Sequence, residues 1–430
     1  MERTYIKDLK PDVEQKMQGF IDKIRETKSM IFVVLKDTTG KIQVTVDRNS
    51  QPNIANEISG KLAGSVLTVL GTPKISPYVK MNGVEVIPDK IIVESSAEAL
   101  PINDEANIDQ RLAYRWIDLR DEKKALVFKI ETDVEKTMRD FMLSQNFVEI
   151  HTPKISAQSS EGGSELFELT YFGQKAFLTQ SPQFYKQMAM ASGFERVFEF
   201  GDCFRAESSF TSRHATEFLS FDVEMSYIKD HYDVMKLEED LLTYTLKKIA
   251  EKYGDEIKST FGVDVKVPQS AFPRISYNDA LDILKNEYNY VGAKNDFDTE
   301  SERLICDYAL KKYGSEFVFI TEYPFSQRAF YSMKCDDNSG LCKSYDLLWK
   351  DQEITSGAQR EHRPSQLTEN IKEKGIKPEN MANYISFFRY GCPPHGGFAI
   401  GMARLIAKLL GLPNIKESTF IFRGPHNILP

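Results

Sequence analysis

Residues 1 to about 105 carry the hydrophobic pattern of strands and the rest of the chain a mixed one, and that change constrains the fold more than any single motif. SMIFVVLKDTTGKIQVTV (29–46) is two apolar runs around Asp37-Thr-Thr-Gly40, a hairpin signal. In the second arm Ile42, Val44 and Val46 alternate with Gln43 and Thr45, which puts one face in a core and the other in water. Further β-rich runs follow at SVLTVLGTP (65–73) and GVEVIPDKIIVE (83–94). Short strands at this density predict a small closed barrel. The oligonucleotide-binding (OB) shape is one form, and any other small β domain fits the composition equally well.

ALPINDEANIDQRLAYRWIDLR (99–120) is polar, ends in alternating arginine and apolar residues, and reads as a hinge. Beyond it Ile130, Val134, Met138 and Phe141 make one stripe at helical spacing, so a helix is expected over 126–145. FVEIHTPKIS (147–156) is then a strand broken by Pro153. From there strands and helices mix without regular βαβ alternation, which predicts an α+β domain on an antiparallel sheet. The expected organisation is a barrel at 1–104, a hinge at 105–124 and a larger α+β domain at 125–430.

Bulk composition excludes more than it assigns. The 430 residues carry a formal net charge of −8, so any nucleic-acid surface must be local. No run approaches the roughly 18 apolar residues of a membrane helix, and MERTYIKDLKPDVEQK has no signal-peptide core. The five cysteines (203, 306, 335, 342, 392) form no CxxC pair. Without an export signal they read as reduced thiols of a cytoplasmic protein. GxxxxGK[ST], GxSxG and HExxH are absent, and GGFAIG (396–401) spaces its glycines wrongly for GxGxxG. A nucleotide would have to be held by arginine forks, whose planar donors grip phosphate bidentately.

Five stretches concentrate polar residues. FRAESSFTSRHATEF (204–218) sets Arg205 and Arg213 on either side of a polar loop, with Glu207 after the first and His214 beside the second. SSEGGSELF (159–167) holds two glycines between Glu161 and Glu165. LTQSPQFYKQ (178–187) spaces Gln183 and Lys186 for one helix face. EITSGAQREHR spans 353–363, and YGCPPHGGFAIGMARL (390–405) runs from a glycine-rich turn into a helix that carries Arg404. Singly, each has a plain alternative: a solvated loop charge at Glu161, a surface lysine at Lys186, an Arg205–Glu207 pair on a strand.

In order and spacing, however, the five resemble the class II aminoacyl-tRNA synthetases, over essentially the whole chain from Arg3 to Pro430. Within that class the chain closely resembles the archaeal and eukaryotic branch that serves aspartate. FVEIHTPKI is similar to the end of the first motif, FRAESSFTSRHATEF to the second and GFAIGMARL to the third; EGGSELF, QSPQFYKQ and ITSGAQREHR are similar to the aspartate-specific segments. The resemblance implies activation of L-aspartate by ATP and transfer to tRNA-Asp, with tRNA-Asn as a second acceptor left open. It implies Arg205 and Arg404 as catalytic residues, Arg205 bridging the substrate carboxylate and the α-phosphate. Glu207 would hold the adenine amino group and Phe218 stack on the ring. Arg213 and His214 would approach the γ-phosphate, with Gly401 beside the nucleotide. Mg²⁺, a ligand of oxygens, would be held by Glu353 and Ser356, with Asp346 of KSYDLLWK as a further carboxylate. Aspartate would be selected from neutral asparagine by buried cations that asparagine leaves unpaired. These are Lys186 and Arg360, with Gln183 and Ser356 close by and Glu161 over the α-ammonium. The barrel becomes an anticodon-binding domain reading bases through Phe32, Gln43 and Glu85, although Phe32 in IFVVL also fits a core position. The first-motif helix and proline strand imply a homodimer.

Two departures from the family pattern stand out. Ala403 occupies the place of an acidic residue before the third-motif arginine, and the C-terminus reads FIFRGPHNILP where FPRD is usual. The first keeps in view a synthetase-like paralogue that makes an aspartyl adenylate, or an amide, without charging tRNA. Within the family the alternative is an asparaginyl-tRNA synthetase, in which lysine is not expected at position 186.

Overall fold

The computed structural model describes residues 1–428 except 82, 104, 158–165, 209–210, 212, 293–296 and 338. The chain divides into two compact units, Met1–Glu122 and Lys123–Pro430.

In the first unit, β1 (Gln15–Glu26), β2 (Met30–Asp37), β3 (Gly40–Asp47), β4 (Val66–Ile75) and β5 (Val84–Ser95) close a barrel in the order β1-β2-β3-β5-β4, with α1 (Pro52–Ile58) between β3 and β4. The hairpin forms as the sequence requires: Asp37 pairs with Gly40, and the Asp37 carboxylate accepts from the Thr39 and Gly40 amides at 2.7 and 3.1 Å. That side-chain bond fixes the tight turn. The inward residues Ile31, Val33, Leu35, Ile42, Val44 and Val46 fill the barrel with Met17, Leu67, Val69 and Val86. Thr45, expected in water, is buried because its hydroxyl donates to the Glu85 carboxylate at 2.5 Å. The stretch read as a hinge is not irregular. It contains α2 (Ile108–Ala113), whose Asn107 and Gln110 form a capping box, and α3 (Arg115–Asp118). Arg115 is buried there on Asp118.

In the second unit α4 (Glu122–Ser144) buries Ile130, Val134 and Met138 along the expected stripe and stops before Asn146, whose φ is 61°. The segment read as one broken strand is two pieces in different sheets. β6 (Val148–Glu149) joins the main sheet and β7 (Ile155–Ser156) a small one with β8 (Glu168–Tyr171) and β9 (Gln174–Leu178). There follow α5 (Gln183–Ala191), β10 (Arg196–Phe204), β11 (Glu217–Ser226), the 31-residue α6 (His231–Phe261), β12 (Arg274–Ser276), α7 (Tyr277–Tyr288), α8 (Thr299–Tyr313) and β13 (Phe317–Thr321). The chain closes with β14 (Ser344–Trp349), β15 (Gln352–Arg360), α9 (Pro364–Glu373), α10 (Ala382–Arg389), β16 (His395–Gly401) and α11 (Met402–Leu410).

The main sheet has the order β12-β13-β14-β15-β16-β11-β10-β6. Its interior pairs are antiparallel, and only the edge pairs β12–β13 and β10–β6 are parallel. Successive side chains point to opposite faces. On one face Phe221 and Val223 of β11, Phe398 and Ile400 of β16 and Leu347 of β14 join Val134 and Met138 of α4, Leu241 and Leu242 of α6 and Leu405 of α11 in a common core. The residues that alternate with them on the same strands therefore lie on the other face, among them Asp222 and Glu224 of β11 and Asp346 of β14.

Candidate active site

β11 shows the arrangement most plainly. In Phe221-Asp-Val-Glu-Met225 the apolar residues enter the core while Asp222 and Glu224 stand on the opposite face, 2% and 0% exposed. Two buried cations meet them. Lys186 of α5 lies 2.8 Å from Asp222 Oδ1 and 3.6 Å from Glu224 Oε2 and is 1% exposed. Arg360, at the end of β15, donates Nε to Glu224 Oε1 at 3.1 Å and Nη2 to the Gly397 carbonyl at 3.0 Å. Gly397 makes this approach feasible, since a Cβ there would sit 2.0 Å from the Val223 oxygen and 2.4 Å from Glu224 Oε2. The expectation that neutral asparagine would leave bare cations is therefore corrected: both cations already have carboxylate partners.

Behind this cluster runs a neutral polar chain. Gln183 is buried and donates to Gln187 Oε1 at 3.0 Å, which also accepts from Tyr384 at 2.7 Å. Gln187 Nε2 lies 3.0 Å from His395 Nε2, and His395 Nδ1 lies 2.8 Å from the Pro393 carbonyl. Burial lowers His395 to about 4. Its ring is neutral, so Nδ1 must donate to the carbonyl and Nε2 accept from Gln187. This chain fixes the orientation of the Gln183 amide.

The β10–β11 hairpin carries the second group. Arg205 leaves β10 with its amide bonded to the Thr216 carbonyl at 2.9 Å. Its half-exposed guanidinium stands 3.7 Å from Glu207 and 5.4 Å from the Phe218 ring centroid. The ion pair considered for Arg205 and Glu207 thus exists, in the loop rather than along the strand. His214 contacts Thr211 at 2.5 Å and lies 3.9 Å from Glu207. Burial first, then the Arg404 charge, hold its imidazole below the ordinary histidine range. Glu161 lies outside the described residues.

The third group sits on the β14–β15 hairpin. Asp346 is opposite Ser356, and Leu348 is opposite Glu353, with a register shift between Leu347 and Leu348. Glu353 and Ser356 are three apart, which in a regular strand would put them on opposite faces. The extra residue, Ile354, reverses the alternation, and both reach the face of Asp346. Three carboxylates collect here, each with its own arginine. Glu302, in the first turn of α8, takes Arg213 at 2.7 Å. Glu353 takes Arg404 at 3.8 Å, and Asp346 takes Arg328 at 2.6 Å. Burial, and then the neighbouring Asp346 charge, push the Glu353 carboxyl above its usual range. Gly401 precedes the first turn of α11, which presents Arg404; Ala403 Cβ leaves a carboxylate out of this region, and Glu302 brings one in from α8. The C-terminal segment reaches the same place, the Arg423 carbonyl accepting from the Thr216 amide at 3.0 Å.

On the barrel, Phe32, Gln43 and Glu85 lie on the outer face together. Phe32 is opposite Thr45, Gln43 is opposite Glu85, and the Arg25 guanidinium is 4.7 Å from the Phe32 ring centroid. Phe32 is not in the barrel core, since its neighbours Ile31 and Val33 are.

Sequence reasoning missed Asp222, Glu224, Gln187, His395, Glu302 and Arg328. The first two had a signal: an alternating apolar–acidic strand. That pattern ordinarily marks a wet face, and only the sheet order makes this one interior.

Residues 107–422 match the family pattern of tRNA synthetases class II (D, K and N), and residues 16–94 match that of the OB-fold nucleic acid binding domain. The chain is 41% identical to an aspartate–tRNA(Asp) ligase of Picrophilus torridus over the full length of both. It is 39% identical to an aspartate–tRNA(Asp/Asn) ligase of Aeropyrum pernix, over 96% of this chain and 94% of that one. Among solved structures it is similar to asparaginyl-tRNA synthetase from Pyrococcus horikoshii complexed with asparaginyl-adenylate, with a TM-score of 0.91, 29% identity and full coverage of both chains.

Proposed function

Because this chain belongs to the class II tRNA synthetases (D, K and N) and carries an OB-fold nucleic acid binding domain, we infer that it is an aspartate–tRNA ligase. It joins L-aspartate to AMP and passes the aspartyl group to the 3′ end of tRNA-Asp. The observation that carries the amino-acid choice is the pair of buried cations, Lys186 and Arg360, fixed on Asp222 and Glu224. An amide side chain gains little from an ammonium and a guanidinium, whereas a carboxylate accepts charge-assisted bonds from both. The names of full-length relatives support the same choice.

Activation displaces pyrophosphate from the α-phosphorus, and negative charge grows on the phosphate oxygens. Fixed cations already in place stabilise that charge without reorganising. Arg205 is positioned for the substrate carboxylate and α-phosphate, while Arg213, His214 and Arg404 surround the polyphosphate end. Glu207 and Phe218 receive the adenine. The carboxylate set fits Mg²⁺: its donors are all oxygens, and Asp346 Oδ1 is buried without a hydrogen-bond partner. Glu353, Ser356 and Asp346 would hold the ion, which supplies positive charge to the phosphates. Among the described residues no group of three Asp, Glu, His or Cys is arranged to cage a metal.

The barrel face of Phe32, Gln43 and Glu85 reads the anticodon, by stacking on the ring and by hydrogen bonds to base edges. The protein works as a cytoplasmic homodimer through α4 and the segment around Pro153 that follows it. Among the described residues no helix is long and apolar enough to cross a membrane. Charging purified tRNA-Asp and tRNA-Asn side by side tests the acceptor. Aspartylation of tRNA-Asp is expected, and transfer to neither tRNA would leave the paralogue that makes only the adenylate.

A further inference from the structure

Of the three arginines on the carboxylate cluster, two belong to stretches that stood out in the sequence. The third, Arg328, belongs to none. Its Nη2 donates to Asp346 Oδ2 at 2.6 Å and its Nη1 to Ser356 Oγ at 3.0 Å. Its guanidinium lies 3.7 Å from the centroid of the buried Tyr323 ring. The fork thus spans two of the three oxygen ligands assigned to Mg²⁺. Beside it is a cavity of about 90 Å³ lined by Glu302, Gln327, Asp346 and Glu353 among others. Asp346 is 8% exposed, and its Oδ1, together with Gln327 Oε1 and Arg328 Nε, has no hydrogen-bond partner. At roughly 10–15 Å³ per water, such a space admits several waters or a hydrated ion.

We propose that Arg328 is the resident counter-ion of this cluster in the nucleotide-free enzyme, holding Asp346 and Ser356 until a divalent cation takes their oxygens. The proposal rests on the assignment of Asp346 and Ser356 as metal ligands. Three carboxylates in one buried region repel one another, and an uncompensated buried charge is strongly destabilising. Arg213 and Arg404 balance two of them, and Arg328 balances the third without any metal. A guanidinium and a divalent ion cannot both sit against Ser356 Oγ without strong repulsion, so the two states exclude each other. Asp346 Oδ1 offers the entry: an ion arriving through the cavity binds there first and then displaces the fork from Ser356. Metal binding before ATP is thereby held weak, and binding with the nucleotide, which brings its own phosphate oxygens, is favoured.

The test is Mn²⁺ binding to the full-length protein without nucleotide, followed by electron paramagnetic resonance, for the wild type, R328M, R328Q and D346N. If the fork holds the site in about 90–99% of molecules, its removal tightens apparent affinity about 10–100-fold. R328M and R328Q are expected to bind in that range more tightly than the wild type, and D346N to lose the site. In parallel, R328M is expected to melt below the wild type in EDTA and to recover most of the difference in millimolar Mg²⁺, which leaves the wild-type melting temperature nearly unchanged. Mn²⁺ binding by R328M no tighter than wild type, with D346N still abolishing it, would overturn the role of Arg328 and leave the metal ligands standing. Binding unaffected by D346N would remove the metal assignment itself. A melting deficit that Mg²⁺ does not restore would make Arg328 an ordinary structural ion pair and would also overturn the proposal. If R328M does not fold, the R328Q titration decides on the same terms.

Discussion

Replacing Lys186 by methionine keeps the stem and removes the charge, and the structure separates two consequences of doing so. The first is on stability. The ammonium is 1% exposed, 2.8 Å from Asp222 and 3.6 Å from Glu224. Removing one partner of a buried pair typically destabilises by about 3–5 kcal/mol, because the other charge is left unmatched. K186M should lose that much in unfolding of the catalytic unit. K186M/D222N, which removes the stranded carboxylate as well, should recover most of it. The second consequence is on substrate choice. Losing a buried charge partner of the aspartate side chain costs about 2–5 kcal/mol in transition-state stabilisation, and D222N cannot restore it. The assay is kcat/KM for aspartate- and asparagine-dependent ATP–pyrophosphate exchange in all three proteins, with urea unfolding of the same samples. Aspartate exchange should stay low in the double mutant while stability returns, and asparagine, already a poor substrate, should lose much less. Recovery of stability and of aspartate exchange together would show that Lys186 only holds Asp222 in place. Equal losses for the two amino acids would show that the ammonium does not read the side chain.

The Arg205 side chain is half-exposed, so R205M should leave stability within about 0.5 kcal/mol, while exchange falls about 10²–10³-fold, as expected for one donor to developing charge; a loss under threefold in steady-state kinetics would make it a surface residue. Glu238 is fully buried with Tyr345 as a donor, and burial raises its carboxyl to about 8. The folded protein therefore keeps a proton that the unfolded chain releases near its ordinary value, so this contribution to stability is present at low pH and is lost as pH rises from about 4.5 to about 8. E238Q should flatten that decline in urea titrations at several pH values, and an unchanged slope would refute the assignment. Sedimentation should find a species of twice 49.2 kDa; an active monomer would refute the homodimer.

The barrel was legible because its signals are local. The Asp37 turn and the alternation of Ile42, Val44 and Val46 are each decided within a few residues. The stripe on α4 was legible for the same reason. The cluster around Lys186 was half legible: α5 spacing puts Gln183 and Lys186 on one face, but the carboxylates that hold the lysine come from β11, 36 and 38 residues on. Likewise the spacing of Glu353 and Ser356 contradicts their shared face until the bulge at Ile354 is seen. Arg328 could not be found from sequence at all, because its stretch PFSQRAFY has neither periodicity nor a neighbouring acid. Its partner lies 18 residues away, on β14.

The most direct measurement is ATP–pyrophosphate exchange by the purified protein without tRNA, with aspartate and asparagine compared at matched concentrations. Every residue assigned to activation lies in the second unit, so exchange is expected without tRNA and with strong preference for aspartate. Exchange driven by asparagine and not by aspartate would contradict the account.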